Sequence, residues 1–91
     1  MLDLSSEAMR TEIQAFSTRL RGLEDELRER GKLSDTNRAV LDQLQQHEDR
    51  LKEKFSKAET GGTWSSITEE FVEDWNSLVL ETTALENRLY E

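Results

Sequence analysis

The feature that most constrains this chain is the spacing of its large apolar residues, which recur every three or four positions. In the first third, the steps between them are four, three, four, three and four, at Met9, Ile13, Phe16, Leu20, Leu23 and Leu27. This spacing places the side chains on one narrow face of an α-helix and is typical of a coiled-coil seam. The 91 residues include no proline, so no proline interrupts such a helix.

Two short glycine-containing segments divide the chain into stretches of nearly equal length. Residues 31–34 are Gly-Lys-Leu-Ser, and residues 60–63 are Thr-Gly-Gly-Thr. Glycine suits the left-handed position that ends a helix, and small polar residues suit the cap that begins the next one. We therefore predict helices over about residues 5–30, 35–59 and 64–90. Connections this short make consecutive helices antiparallel.

A polar residue stands where each predicted helix would begin. The candidate N-caps are Ser5 or Ser6, Ser34 or Asp35, and Thr63. Side chains of this kind accept a hydrogen bond from a free backbone N–H of the first turn. The chain is therefore predicted to form one domain over residues 1–91, an all-α, up-down-up antiparallel three-helix bundle with coiled-coil-like packing.

The third stretch carries the bulkiest apolar residues and is expected to complete the core. Its stripe holds both tryptophans and consists of Trp64, Ile67, Phe71, Trp75, Leu78, Leu85 and Leu89. The second stripe is thinner and consists of Val40, Leu41, Leu44, Leu51, Phe55 and Ala58. We predict that the first two helices need the third to close a core.

The charge of the chain limits its partners. The formal net charge is −8, and residues 60–91 contribute most of it, because seven acidic side chains there are balanced by Arg88 alone. An acidic chain repels phosphate groups, so we expect it to bind neither nucleic acid nor an anionic membrane. No apolar run reaches the length of a membrane span, and the first residues lack the basic and apolar parts of a secretory signal. A cytoplasmic location is expected.

No pattern in the sequence points to catalysis. The chain has no cysteine, no nucleophile–base pair, no phosphate-binding glycine loop and no zinc-ligand spacing. The single histidine, His47, is expected to be a surface residue, and the acidic run of Glu69, Glu70, Glu73 and Asp74 is expected to be a solvated face. We therefore predict no catalytic, cofactor-binding or metal-binding residues, no small-molecule substrate and no enzymatic activity.

Glu48 is the main anomaly in the apolar pattern. It occupies the core position expected between Leu44 and Leu51, and folding the chain at its two breaks places it level with Trp75 and Ser17. A carboxylate in an apolar layer needs a donor, and an indole N–H needs an acceptor. We predict a hydrogen-bonded pair of Glu48 and Trp75 that fixes helix register. The alternative is that Glu48 turns outward to solvent.

The third stretch also has apolar residues outside its main stripe. Val72, Val79 and Tyr90 lie roughly 80–100° around the helix from Phe71, and Leu80 lies nearly opposite to it. Contact with two other helices accounts for part of this width. The apolar width that this contact does not explain makes these four residues a candidate interaction surface for a protein partner or for a homo-oligomer. The alternative is that they are simply exposed.

The final third resembles a known group of proteins. Residues 62–67, Gly-Thr-Trp-Ser-Ser-Ile, and residues 71–78, Phe-Val-Glu-Asp-Trp-Asn-Ser-Leu, are similar to the last helix of small bacterial coiled-coil proteins. In that group this helix is roughly W-x2-[LI]-x3-[VF]-x3-W-x2-L, and some members are described as stress-responsive. The resemblance implies a non-enzymatic protein that acts through association under stress, and it carries over no catalytic residues.

A second class of function fits the same residues. A small adaptor or secretion-type chaperone would present its third helix to a protein partner. Such a protein should expose the patch around Val72, Val79 and Tyr90 as a monomer. A stress-associated protein should instead hide that patch in its own oligomer.

Overall fold

The computed structural model describes residues 5–90, and every regular element within them is helical. Helix α1 spans Ser6–Glu29, α2 spans Asp35–Gly61 and α3 spans Trp64–Asn87, and a 3₁₀ turn, Arg88–Tyr90, continues α3. The predicted all-α three-helix bundle is thereby confirmed. Two details differ from the prediction, because α2 runs two residues further and the last turn of the third helix tightens.

Contacts between the helix ends establish the up-down-up arrangement. Arg10, near the start of α1, forms an ion pair with Glu59, near the end of α2. Lys32, between α1 and α2, donates from Nζ to the backbone carbonyls of Arg88 and Leu89 at 3.2 and 3.0 Å. The three rods therefore lie side by side in a body measuring 44 × 25 × 18 Å.

The first two helices begin with the predicted side-chain caps. Ser5 Oγ accepts from the N–H of Ala8 at 3.1 Å, and Ser34 Oγ accepts from the N–H of Asn37 at 3.2 Å. Each bond satisfies a donor that the first turn of a helix leaves without a partner in the helix itself. The sequence therefore encodes both helix starts locally.

The connection between α2 and α3 is built differently from the prediction. Gly62 has a φ of 70°, and the N–H of Thr63 then bonds to the carbonyl of Ala58 at 2.8 Å, which closes the end of α2. The Thr63 hydroxyl also points back to Ala58, at 3.5 Å, and makes no side-chain cap for α3. Thr63 therefore occupies the N-cap position, but its side chain serves the preceding helix.

The core runs along the facing stripes of all three helices. Its buried apolar members are Met9, Ile13, Phe16, Leu20, Leu23, Leu27, Leu41, Leu44, Leu51, Phe55, Ala58, Trp64, Phe71, Trp75, Leu78, Leu85 and Leu89. Val40 and Ile67, two further members of the predicted stripes, are half-buried against this cluster. The apolar spacing therefore predicted the buried face of each helix.

Aromatic rings from α3 bridge the other two helices. Trp75 meets Phe16 of α1 edge-on, with ring centroids 5.1 Å apart, and Trp64 meets Phe55 of α2 in the same way at 5.1 Å. Phe71 lies between the two tryptophans, 5.1 Å from Trp64 and 6.3 Å from Trp75. Edge-on and offset aromatic pairs stabilise beyond their buried area, so α3 holds α1 and α2 through specific ring contacts.

None of the helices within residues 5–90 is both long enough and apolar enough to cross a membrane.

Candidate functional site

A groove runs between α1 and α3 beside the core. Its lining side chains, which define what we call the α1–α3 groove, are Glu12, Ala15, Phe16, Arg19, Trp75 and Val79. Its volume is about 180 Å³. Phe16 and Trp75 are buried and form its apolar floor, whereas Ala15 on α1 is exposed at its edge. The groove thus has an apolar floor, carries the charged side chains Glu12 and Arg19 in its lining, and opens to solvent between two helices that run in the same direction.

The candidate interaction residues on α3 divide into two groups. Val79 lines the α1–α3 groove and packs, half-buried, against the core. Val72 lies two helical turns earlier on the same flank and is also half-buried. Both valines therefore have a solvent-facing edge on the side of α3 that faces α1.

The other two candidate residues are exposed. Leu80 is 71% exposed on the outward side of α3, about 100° around the helix from Val79. Tyr90 is 78% exposed, and the guanidinium carbon of Arg30 lies 5.6 Å from its ring centroid, a cation–π contact. Leu80 therefore faces another direction from the two valines, and Tyr90 belongs to the 3₁₀ turn that follows α3.

A charged clamp joins α1 to α3 at one end of the groove. Arg19 donates from Nε to Oε2 of Glu86 at 3.1 Å and from Nη2 to Oε1 of Glu86, and Nη2 also donates to the Thr83 hydroxyl at 3.0 Å. Hydrogen bonding to Glu86, together with its charge, raises the pKa of the Arg19 guanidinium above its ordinary value, although partial burial acts in the opposite direction. Glu86 therefore neutralises the positive charge of Arg19, the one basic side chain of residues 5–90 that lines the groove.

Glu48 lies in the core but with a partner different from the predicted one. Glu48 is 7% exposed, and its Oε2 accepts a hydrogen bond from the Ser17 hydroxyl at 2.7 Å. Oε1 lies 3.6 Å from Nζ of Lys52, one turn further along α2. Within residues 5–90 no hydrogen bond joins Glu48 to Trp75, so the donor is corrected to Ser17.

The packing of Trp75 gives a physical reason for this correction. Its ring is edge-on to Phe16 and nearly parallel to Phe71, with an interplanar angle of 12°. The orientation of the indole is therefore fixed by two aromatic neighbours. A serine hydroxyl can rotate to suit an acceptor, and Ser17 lies in the same layer as Glu48, as its position along the chain predicted.

His47 is not the surface residue that the sequence led us to expect. Its side chain is 15% exposed, and Nε2 lies 2.8 Å from Oδ1 of Asp74 on α3. Nδ1 lies 4.0 Å from Oε2 of Glu81, two turns further along α3. The acidic run is accordingly split, because Asp74 binds His47 while Glu69, Glu70 and Glu73 remain exposed.

The remaining titratable side chains show no arrangement typical of a metal centre. Across residues 5–90 there is no group of three histidine, cysteine, aspartate or glutamate side chains placed to hold a metal ion. Glu70 pairs with Lys54 of α2 at 3.4 Å, and both side chains are largely exposed. The charged contacts between α2 and α3 therefore serve to hold these two helices together.

Sequence reasoning missed one fully buried polar residue. Thr82 is 0% exposed, and its hydroxyl donates to the carbonyl of Leu78 at 2.9 Å, within the same helix. Thr82 follows Trp75 by seven positions and Leu78 by four, so the helical spacing could have placed it on the core face. Threonine can occupy such a position because its hydroxyl is satisfied by its own backbone.

Comparisons of this chain with protein-family models, with curated proteins and with solved structures found no match.

Proposed function

We propose that this chain acts without catalysis, by binding a protein through α3 or by associating with copies of itself. The observation that carries this proposal is the placement of the exposed large apolar side chains. Among residues 5–90 these are Leu80 and Tyr90, and both belong to the last third of the chain. Burial of apolar surface is favourable by about 25 cal/mol per Å², so a second surface over these residues would stabilise a complex.

The non-enzymatic part of the proposal is supported by what the acid–base side chains contact. The histidine is held by Asp74, and the buried carboxylate of Glu48 is held by Ser17. Each contact joins two helices of the bundle. Side chains engaged in this way have a structural role that accounts for their position.

The charge of the last third of the chain supports a protein partner over a nucleic acid or an anionic membrane. Residues 60–91 carry seven acidic side chains and one basic side chain, Arg88. Arg88 is engaged by Asn37, since its Nη1 donates to Asn37 Oδ1 at 2.8 Å. A surface of this sign repels phosphate groups.

The proposed cellular setting comes from the resemblance of the last helix. A cytoplasmic, stress-related role rests on the similarity of residues 62–78 to the last helix of small bacterial coiled-coil proteins. Fractionation of the native cell, with the protein measured before and after stress, tests this setting. An unchanged level under every stress applied would remove the stress-related part.

The second candidate is a small adaptor or secretion-type chaperone that presents α3 to a client protein. The 78% exposure of Tyr90 in the single chain favours it. Val72 and Val79 are half-buried, so only part of each side chain is available for contact with a client protein. Solution mass separates the two candidates, since the adaptor is a monomer until its client binds.

The experiment that tests the proposed function measures mass by light scattering over a range of concentrations, followed by affinity capture from the native cell. The expected result is an assembly or a complex larger than the 10.6 kDa chain. Leu80→Glu should weaken it, because a carboxylate would replace an apolar contact. Ala39→Glu, at an exposed position on α2, is the matched control and should leave it unchanged. A monomer with no capture that depends on Leu80 or on the α1–α3 groove would overturn the proposal.

A further inference from the structure

The α1–α3 groove has room for an apolar side chain from outside the bundle. Its volume is about 180 Å³, and a dry cavity of about 150 Å³ in a protein can hold a benzene ring. The floor, Phe16 and Trp75, is aromatic, and Val79 forms the wall on α3. An inserted side chain would therefore meet apolar atoms on more than one side.

The wall on α1 also leaves open space. Ala15 lines the groove and is exposed, and Gly22 lies two turns further along the same side of α1. A Cβ atom added at Gly22 would meet nothing within 4 Å. Glycine inside a helix is less favourable than alanine, and no contact inside the described bundle requires it here. This side of α1 can therefore be approached closely.

The electrostatics of the groove favour a cationic occupant. Its lining contains two charged side chains, Glu12 and Arg19, and the guanidinium of Arg19 is already bound by Glu86. The charge left at the groove is therefore that of Glu12, on an acidic protein whose net charge is −8. A second copy of this chain would bring the same net charge, which opposes association.

We infer that the α1–α3 groove receives a basic amphipathic helix from a partner protein. This inference rests on the proposed function and names the kind of partner. Because α1 and α3 run parallel, a helix laid between them would extend the three-helix bundle to four helices. Its large apolar side chains, at helical spacing, enter the groove, and its lysine or arginine side chains face Glu12 and the acidic surroundings.

The test uses a synthetic amphipathic peptide as the probe. The peptide has about 18 residues, or roughly 27 Å as a helix, with leucine on one face and lysine on the other. A second peptide keeps the leucine face and has glutamate in place of lysine. Binding is measured by calorimetry at fixed salt, with light scattering of the free protein alongside. The lysine peptide should bind the full chain, and the glutamate peptide should not.

Two variants with equal charge separate docking in the groove from general attraction. Ala15→Glu and Gln14→Glu each add one negative charge at an exposed position of α1, but Gln14 lies about 100° around the helix, away from the groove. Ala15→Glu should weaken binding of the lysine peptide about tenfold or more, because it places a carboxylate where leucine enters. Gln14→Glu should leave binding unchanged or tighten it slightly.

A further variant keeps the test decisive if Ala15→Glu disturbs the fold. Gly22→Glu meets no neighbouring atom and improves helix propensity, so it should fold and also weaken binding. The inference is overturned if Ala15→Glu, Gly22→Glu and Gln14→Glu all bind the lysine peptide equally, if both peptides bind alike, or if neither peptide binds. A dimer that Ala15→Glu dissociates would assign the groove to a second copy. That outcome would overturn the basic helix but leave the proposed function standing.

Discussion

The hydroxyl of Ser17 on α1 donates a 2.7 Å hydrogen bond to Oε2 of Glu48 on α2, inside an otherwise apolar layer. Glu48 is 7% exposed, and its other carboxylate oxygen has Lys52 Nζ at 3.6 Å. A buried carboxylate is costly unless it has donors. The serine and the lysine together explain how a charged residue can occupy a core position between two leucines.

Removing the serine donor should destabilise the fold. Ser17→Ala leaves the buried carboxylate with Lys52 as its remaining partner, so the free energy of unfolding should fall by about 1–3 kcal/mol. Urea denaturation followed by tryptophan fluorescence measures this change. Thr18→Ala, at an exposed neighbouring position, is the control and should alter stability by less than about 0.5 kcal/mol. Similar values for the two variants would contradict a stabilising role for the bond.

Replacing the whole polar group should have the opposite effect. Glu48→Leu removes a charge that must be desolvated and restores the apolar layer, so we expect a gain of about 1 kcal/mol in the free energy of unfolding. The Ser17 hydroxyl can then bond to a carbonyl of its own helix. Thermal unfolding followed by circular dichroism measures the change. A lower melting temperature would show that the Ser17–Glu48 bond stabilises more than an apolar side chain at this position.

The clamp between Arg19 and Glu86 should make a modest contribution to the free energy of unfolding. Arg19→Met keeps most of the aliphatic stem but removes the charge, and we expect a loss of about 0.5–1 kcal/mol, because the pair is partly exposed. Raising the salt concentration should shrink this difference. Arg21→Met, at an exposed position without an ion pair among those of residues 5–90, is the control. A loss that salt does not change would assign the effect to packing.

The pH dependence of this contribution has a defined sign. The folded state raises the pKa of Arg19, so the stabilisation is fully present below the unfolded pKa. It is lost only as the pH rises through the folded pKa, which lies in strongly alkaline solution. The difference between wild type and Arg19→Met should therefore stay constant from neutral to mildly alkaline pH. A difference that vanishes in that interval would show that Arg19 is not the titrating partner.

Deleting the third helix should abolish cooperative unfolding. A chain that ends at Gly62 lacks Phe71, Leu78 and Leu85, each at most 1% exposed in the intact bundle. It also exposes the stripes of α1 and α2 that α3 covers, so two isolated amphipathic helices should be marginal in water. Circular dichroism during heating should show a broad, shallow transition. If this shortened chain melts as sharply and at as high a temperature as the full chain, α3 is not needed to complete the core.

Helix positions and buried faces were predictable because both are encoded locally. The spacing of apolar residues identifies a face, and Ser5 and Ser34 identify helix starts through bonds that span three residues. Thr63 shows the limit of this reasoning. Its residue type suits an N-cap, but the two-residue connection directs both its N–H and its hydroxyl to the preceding helix.

The polar contacts of the candidate sites were less predictable, because they depend on how each helix is rotated about its axis and on the side-chain torsion angles. Helical register placed Glu48 level with both Ser17 and Trp75, but register does not say which donor points at the carboxylate. The environment of His47 depends on how closely α3 packs on α2. This packing brings Oδ1 of Asp74 to 2.8 Å from Nε2 of His47. The groove was likewise unforeseen, since it arises from the distance between α1 and α3 and leaves no mark on the spacing of either helix alone.

Lys32 has a consequence for how the protein is made. Its ammonium group binds the carbonyls of Arg88 and Leu89, so a residue from the connection between α1 and α2 closes the end of the third helix. During translation, Lys32 leaves the ribosome more than fifty residues before these two partners do. The nascent chain therefore cannot form this contact until residues 88 and 89 have been synthesised. Translation that stopped before residue 88 would release a chain without it.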